Sequence, residues 1–246
     1  MASPSPNTIP TDINVRLPSK YASKKTGAST DNAFVPPPLE WLYRTWAVTH
    51  STLSMWRSAQ NVRITYKPYT KGGGGGNSNT SGDVAVDDLV EYEKKDAEPG
   101  TNIKTVKGID RPDPSSPLGA AFNWRGKGWL KIASSHWEIL GYGERPLPTT
   151  ATTATTTTTG DGGPAEDEAP EEEDRVERWA VTWFAPTLFT NEGLDIYTNR
   201  KEGLAEETYS AIVAALKALD APKLVSLVEK DMRPVLINLP AEEIEA

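Results

Sequence analysis

Arg44-Thr45-Trp46-Ala47-Val48-Thr49-His50 is the first strongly alternating stretch of the chain, and it sets the expected fold. Trp46, Val48 and His50 share one face, and Thr45, Ala47 and Thr49 the other. A large aromatic therefore opens a strand spanning about residues 43–51. Arg200, at the end of the last alternating segment, has the chemistry to lie across that aromatic. A guanidinium over an indole gains about 0.5–2 kcal/mol and plugs a barrel end. That reading makes Trp46 and Arg200 architectural. It leaves His50, further along the same face, as a candidate to meet a ligand or move a proton. The plain alternative for His50 is a hydrogen-bonded core or rim histidine.

The pattern continues outward from this strand. Asn61–Lys67 alternates cleanly, with Val62, Ile64 and Tyr66 inward and Pro68 as its end. Further strands are expected over 87–93, 102–108, 122–134, 136–143, 177–185 and 193–200. Strand 87–93 puts Val90 and Tyr92 on its apolar face, and strand 177–185 does the same with Trp179, Val181 and Trp183. Asp87 and Asp88 fall on opposite faces, which argues against a carboxylate dyad. The period then lengthens to nearly four. Leu204, Thr208, Ile212, Leu216 and Leu219 form a helical stripe, and Asp220-Ala221-Pro222 starts a second helix. Residues 52–58 join the first two strands and carry Leu53, Met55 and Trp56. A solvated loop has no use for these three, so a lid over something apolar is expected.

The remaining segments read as low complexity. Residues 1–38 form a Pro-, Ser- and Lys-rich leader with few apolar groups, expected to be disordered. The glycine run near 70–83 and the Thr-rich, acidic stretch 145–175 are expected disordered inserts, and 240–246 is an acidic tail. The ordered domain is thus expected over 39–239. No helix separates the strands, so parallel crossovers are excluded. Eight antiparallel strands in sequence predict an all-β, up-and-down barrel with C-terminal helices, wide enough for about one small ligand.

The totals restrict function. The net charge of −8 and the absence of a long basic stretch point away from nucleic acid. The chain has no cysteine, so thiolate chemistry and disulfides are excluded. No apolar run approaches the ~18 residues of a membrane span, and residues 1–6 do not resemble a secretory signal. A cytoplasmic protein is expected. His136 and Glu138 share a strand face with Leu140 and Tyr142, but two histidines in the whole chain are too few for an ordinary zinc site. No metal and no cofactor are expected. Gly-x-Ser-x-Gly does not occur.

The blocks Arg44-Thr45-Trp46, His50 to Trp56, Trp124 to Trp129 and Thr187 to Tyr197 resemble the lipocalin or calycin superfamily, in particular lipocalin-like domain proteins of filamentous fungi. The family's first-strand glycine is replaced here by Arg44, and its basic residue after the last strand matches Arg200. The resemblance implies a hydrophobic-ligand calyx. Residues placed toward that calyx are His50, Met55, Trp56, Tyr66, Tyr92, Trp129, Trp179 and Trp183. The expected function is binding of a small hydrophobic molecule (fatty acid, terpenoid or polyketide-like). The alternative is a cyclase or isomerase in the same pocket with His50 as acid or base. Oligomeric state is left open.

Overall fold

The computed structural model describes residues 9–22, 34–70, 84–116, 118–147, 175–188 and 190–239. The expected glycine insert, most of the Thr-rich and acidic insert, and the acidic tail lie outside these residues. The architecture is a closed, eight-stranded, antiparallel up-and-down barrel with short helices after it. Its strands are β1 (Thr45–Ser51), β2 (Ala59–Pro68), β3 (Val86–Lys94), β4 (Lys104–Pro112), β5 (Ala121–Gly126), β6 (Ser134–Pro146), β7 (Val176–Phe184) and β8 (Gly193–Thr198). Each pairs with the next, and β1 pairs with both β8 and β2 to close the ring. The expected strand over 122–134 is shorter. It stops at Gly126 and gives way to a 3-10 helix, Gly128–Ile132. A second 3-10 helix, Ser54–Ser58, occupies the expected lid connector.

Helix α1 (Leu39–Leu42) closes one end. Trp41 packs on Trp46 at 4.9 Å and edge-on to Tyr142 at 5.0 Å between ring centroids, and Trp46 Nε1 donates to the Leu42 carbonyl. The cation over the Trp46 ring is Arg44, at 5.6 Å, not Arg200. The reason is alternation itself: Arg44 is two residues before Trp46 and shares its face. Arg200 instead pairs with Glu202.

Two layers of core result. The inner one fills the barrel with Val48, Val62, Ile64, Tyr66, Trp137 and their neighbours. The outer one lies between β6–β8 and helices α2 (Glu206–Lys217) and α3 (Pro222–Asp231). Thr208, Ile212 and Leu216 on α2, and Leu224 and Val228 on α3, are buried at helical spacing. They cover Trp179, Val181, Trp183, Leu194 and Ile196. Removing a buried indole costs roughly 3–5 kcal/mol, so this outer layer belongs to the main fold.

The expected solvated leader is docked over residues 9–22. The Arg16 amide donates to the Leu140 carbonyl, and the Glu144 amide to the Pro10 carbonyl. Gly141 and Gly143 permit this approach: a Cβ on either would sit 2.6 Å from a leader carbonyl oxygen, of Asn14 or Pro10. Arg16 and Glu138 form a buried ion pair at 2.8 Å, and the Ser19 amide and hydroxyl also donate to Glu138. A composition poor in apolar residues did not prevent docking, because Val15, with Ile13, Leu17 and Tyr21, packs into the outer core while hydrogen bonds and an ion pair hold the segment. The chain's last described residues fill the seam where β1 and β2 diverge. β9 (Arg233–Pro234) pairs with His50 and Ser51. Asn61, at φ 52°, receives the Asn238 amide and donates its own amide to Leu236.

Candidate functional site

Connections alternate between the two ends of an up-and-down barrel. The 54–58 3-10 helix therefore lies at the end opposite α1, and that end is the mouth. A cleft of about 230 Å³ opens there between Trp56, Arg57, Ala59, Lys95, Pro234 and Leu236. Trp56 lines it, stands edge-on to Tyr92 at 5.5 Å, and donates its indole N–H to Asp195 Oδ2 at 3.4 Å. The Ser51 hydroxyl donates to the other Asp195 oxygen, and the Leu53 amide donates to Ser51 Oγ. Asp195 is thus a buried acid immediately behind the mouth tryptophan. Burial pushes its carboxyl up to about 7, against the opposing hydrogen bonds from Ser51 and Trp56.

Register places two further acids inside. Asp88 on β3 pairs with Gly108, and Val86 with Asp110 on β4, so both carboxyls share the inward face of Val86 and Val90. Trp137 Nε1 donates to Asp110 Oδ1 at 2.7 Å. Among the described residues, none donates to Asp88 Oδ1 or Asp110 Oδ2. Burial, and then the neighbouring Asp110 charge, hold Asp88 well above the carboxylate range; burial raises Asp110 to about 7. Gly108 makes the arrangement possible, since a Cβ there would fall 1.9 Å from Trp124 Nε1. Trp124 lies across the bare backbone instead and acts as a donor toward Asp88. Tyr66 and Tyr197 are both buried beside these acids and interact with each other through their hydroxyls. Tyr66 stacks on Trp137 at 5.8 Å, and Trp137 on Phe122 at 4.5 Å. Burial, followed by nearby buried charges, raises both phenols well above their ordinary value, so they serve as neutral hydroxyls.

The structure brings together only some of the residues expected to face a calyx. Trp56, Tyr66 and Tyr92 do line the interior. Met55 is 46 % exposed on the outer side of its 3-10 helix, and Trp129 is 87 % exposed. Trp179 and Trp183 face outward, in the layer shared by the docked leader, α2 and α3. Apolar side chains pointed to an inward face only if the other face met water, and β7 has two covered faces.

His50 is also outside. Val48 pairs with Tyr197 but His50 with Ile196, so Thr49 is a bulge residue and the alternation reverses. Ser51 takes the inward position. The His50 ring stacks on Tyr209 of α2 at 3.8 Å between centroids, and burial lowers its pKa to about 4, opposed by Glu206. A neutral imidazole stacked under a helix is a packing residue here.

A second bulge, at Leu140 on β6, sends Tyr142 inward while His136 and Glu138 stay outward. Glu138 is taken up by Arg16 and Ser19, and His136 by Asn123 at 3.0 Å. Burial alone would raise Glu138, but hydrogen bonds from His136 and Arg16 and the Arg16 charge outweigh it and hold the carboxyl below its ordinary value. The pair clamps the leader.

The interior acids carried a partial signal. Asp88 is two residues before Val90 and four before Tyr92, on the face assigned to the core. Asp195 and Tyr197 likewise share a face. Asp110 carried none, because β4 runs to Pro112, past its expected end.

No protein-family model matches this chain, and no curated protein matches it. Among the described residues no helix is long and apolar enough to cross a membrane.

Proposed function

We propose that the barrel is a calycin-type container for a small, mostly apolar molecule with one hydrogen-bonding group, admitted past Trp56. The observation that supports this reading is the Ser51–Asp195–Trp56 cluster, in which one residue both lines the mouth cleft and bonds a buried acid. An eight-stranded interior is filled by side chains or holds one small ligand, so uptake requires Trp56 to swing aside. The side chains behind it are aromatic with a few convergent polar groups, the usual make-up of a ligand pocket's lining. A neutral Asp195 donates to a ligand carbonyl, and the ionised form accepts from a hydroxyl. A terpenoid or polyketide-like molecule suits this better than a fatty acid, whose carboxylate would meet inward carboxyls.

Titration with lipophilic ketone- and alcohol-bearing probes, followed by tryptophan emission, tests the reading. Saturable quenching is expected, weakened about tenfold in Asp195→Asn. No saturable binding to well-folded protein overturns it. The cyclase or isomerase reading draws support from Asp88 and Asp110, since a buried carboxyl kept protonated is a general acid. Turnover of a bound probe, seen by mass spectrometry and abolished in Asp110→Asn, is its test; turnover unchanged in that variant removes it.

A further inference from the structure

The connection between β5 and β6 exposes what a water-soluble loop ordinarily hides. Trp129 is 87 % and Ile132 89 % exposed, on the five-residue 3-10 helix between Gly126 and Ser134. Lys127 and Lys131 flank the indole in sequence. Beside them an open groove of about 560 Å³ is lined by Arg111, Arg125, Lys127 and Lys131 over Tyr69 and Ile109. Exposed apolar tips recur around this end of the barrel, two of them beside a cation, and the β3–β4 connection also carries Asp96 and Glu98. The β1–β2 connection exposes Met55 beside Arg57, the β3–β4 connection Ile103 beside Lys104, and the β7–β8 connection Leu188 at 96 %. Among the described residues the opposite end also exposes Val35, Val84 and Leu118, but no aromatic.

Isolated exposed apolar residues are ordinary. An indole and an isoleucine projecting together from a cationic loop are not, and they match the interface of an anionic bilayer. Tryptophan favours that depth, and each Lys or Arg near an anionic surface strengthens binding roughly fivefold. A nucleic acid would use the indole and the cations but has no use for Ile132, Met55 or Leu188. We propose that the mouth end of the barrel docks on an anionic phospholipid surface, with Trp129 and Ile132 in the interfacial layer and Arg125 and Lys131 against headgroup phosphates. The docking is independent of whether the barrel holds a ligand.

The full chain is mixed with phosphatidylcholine vesicles, with or without about 30 % phosphatidylserine. Co-sedimentation is expected with the anionic vesicles alone, with blue-shifted tryptophan emission and release by roughly 0.5 M salt. Trp129→Ser/Ile132→Ser should lower partitioning at least ~tenfold while leaving the circular dichroism spectrum unchanged. Quenching by brominated lipids should be stronger in the wild type than in Trp129→Phe, a readout that does not depend on the double variant folding. Absence of co-sedimentation, equal binding by a well-folded double variant, or quenching unchanged in Trp129→Phe overturns the proposal. So does tighter binding of a single-stranded oligonucleotide that displaces the vesicles.

Discussion

Asp195 shows at the scale of one residue how a barrel interior changes chemistry. A carboxyl with an ordinary value of 3.8 is raised to about 7 because burial disfavours its charge. The folded state therefore binds more protons than the unfolded state between those values. Its contribution to stability is fully present below about pH 4 and is lost as pH rises through about 7. Asp195→Asn removes that share of the slope, and Asp110 keeps its own. The variant should match or trail the wild type near pH 4 and exceed it by ~1–4 kcal/mol above pH 8. Denaturant unfolding at three pH values checks this; an unchanged slope would show that Asp195 stays ionised inside. Ser51 and Thr49 make the same point about position. One bulge residue exchanges the serine for the histidine at the inward site.

Among the elements, the docked leader is the least expected from composition. Residues 9–22 lie in an outer groove prepared by Gly141 and Gly143 and are held by Glu138. Within the leader only the alternation of Ile13, Val15 and Leu17 signals this, and the polar partners lie more than a hundred residues away. Glu138→Gln leaves the largely buried Arg16 guanidinium without its charge partner, a loss of about 3 kcal/mol. Limited proteolysis should then cut within residues 9–22 much faster than in the wild type, with the barrel intact. In the wild type the clamp is present above the ordinary carboxyl value of 4.5 and is lost as pH falls through the lower folded value. Hydrogen exchange of the Arg16 amide at pH 3 and pH 7 reports that change. Equal protection at both would contradict the clamp.

At the scale of the molecule, closure makes the barrel independent of its longest connection. The Leu147 amide donates to the Arg175 carbonyl at 2.8 Å, so the chain ends flanking the Thr-rich and acidic stretch already meet. Replacing residues 149–173 by a four-residue linker should preserve the fold and raise stability by about 1 kcal/mol, because a shorter loop costs less to close. A thermal melt of the shortened protein is the measurement, and loss of the cooperative transition would place that stretch in the fold. Much of the whole was legible without coordinates. Period-two alternation and the absence of helices between strands specified eight antiparallel neighbours, and the change of period after Arg200 specified the helices. These are local properties, written in residues a few positions apart.

Which face of each strand looks inward is not local. It depends on bulges at Thr49 and Leu140, which reverse the alternation, and on α2 and α3, which bury the outer faces of β7 and β8. The sequence by itself determined the strands and the closed architecture. Only the tertiary structure moved His50, Trp179 and Trp183 outside, set Arg44 rather than Arg200 over Trp46, and gathered Asp88, Asp110 and Asp195 within. The physical reason is that alternation records two faces, while burial of each face is decided by what packs against it.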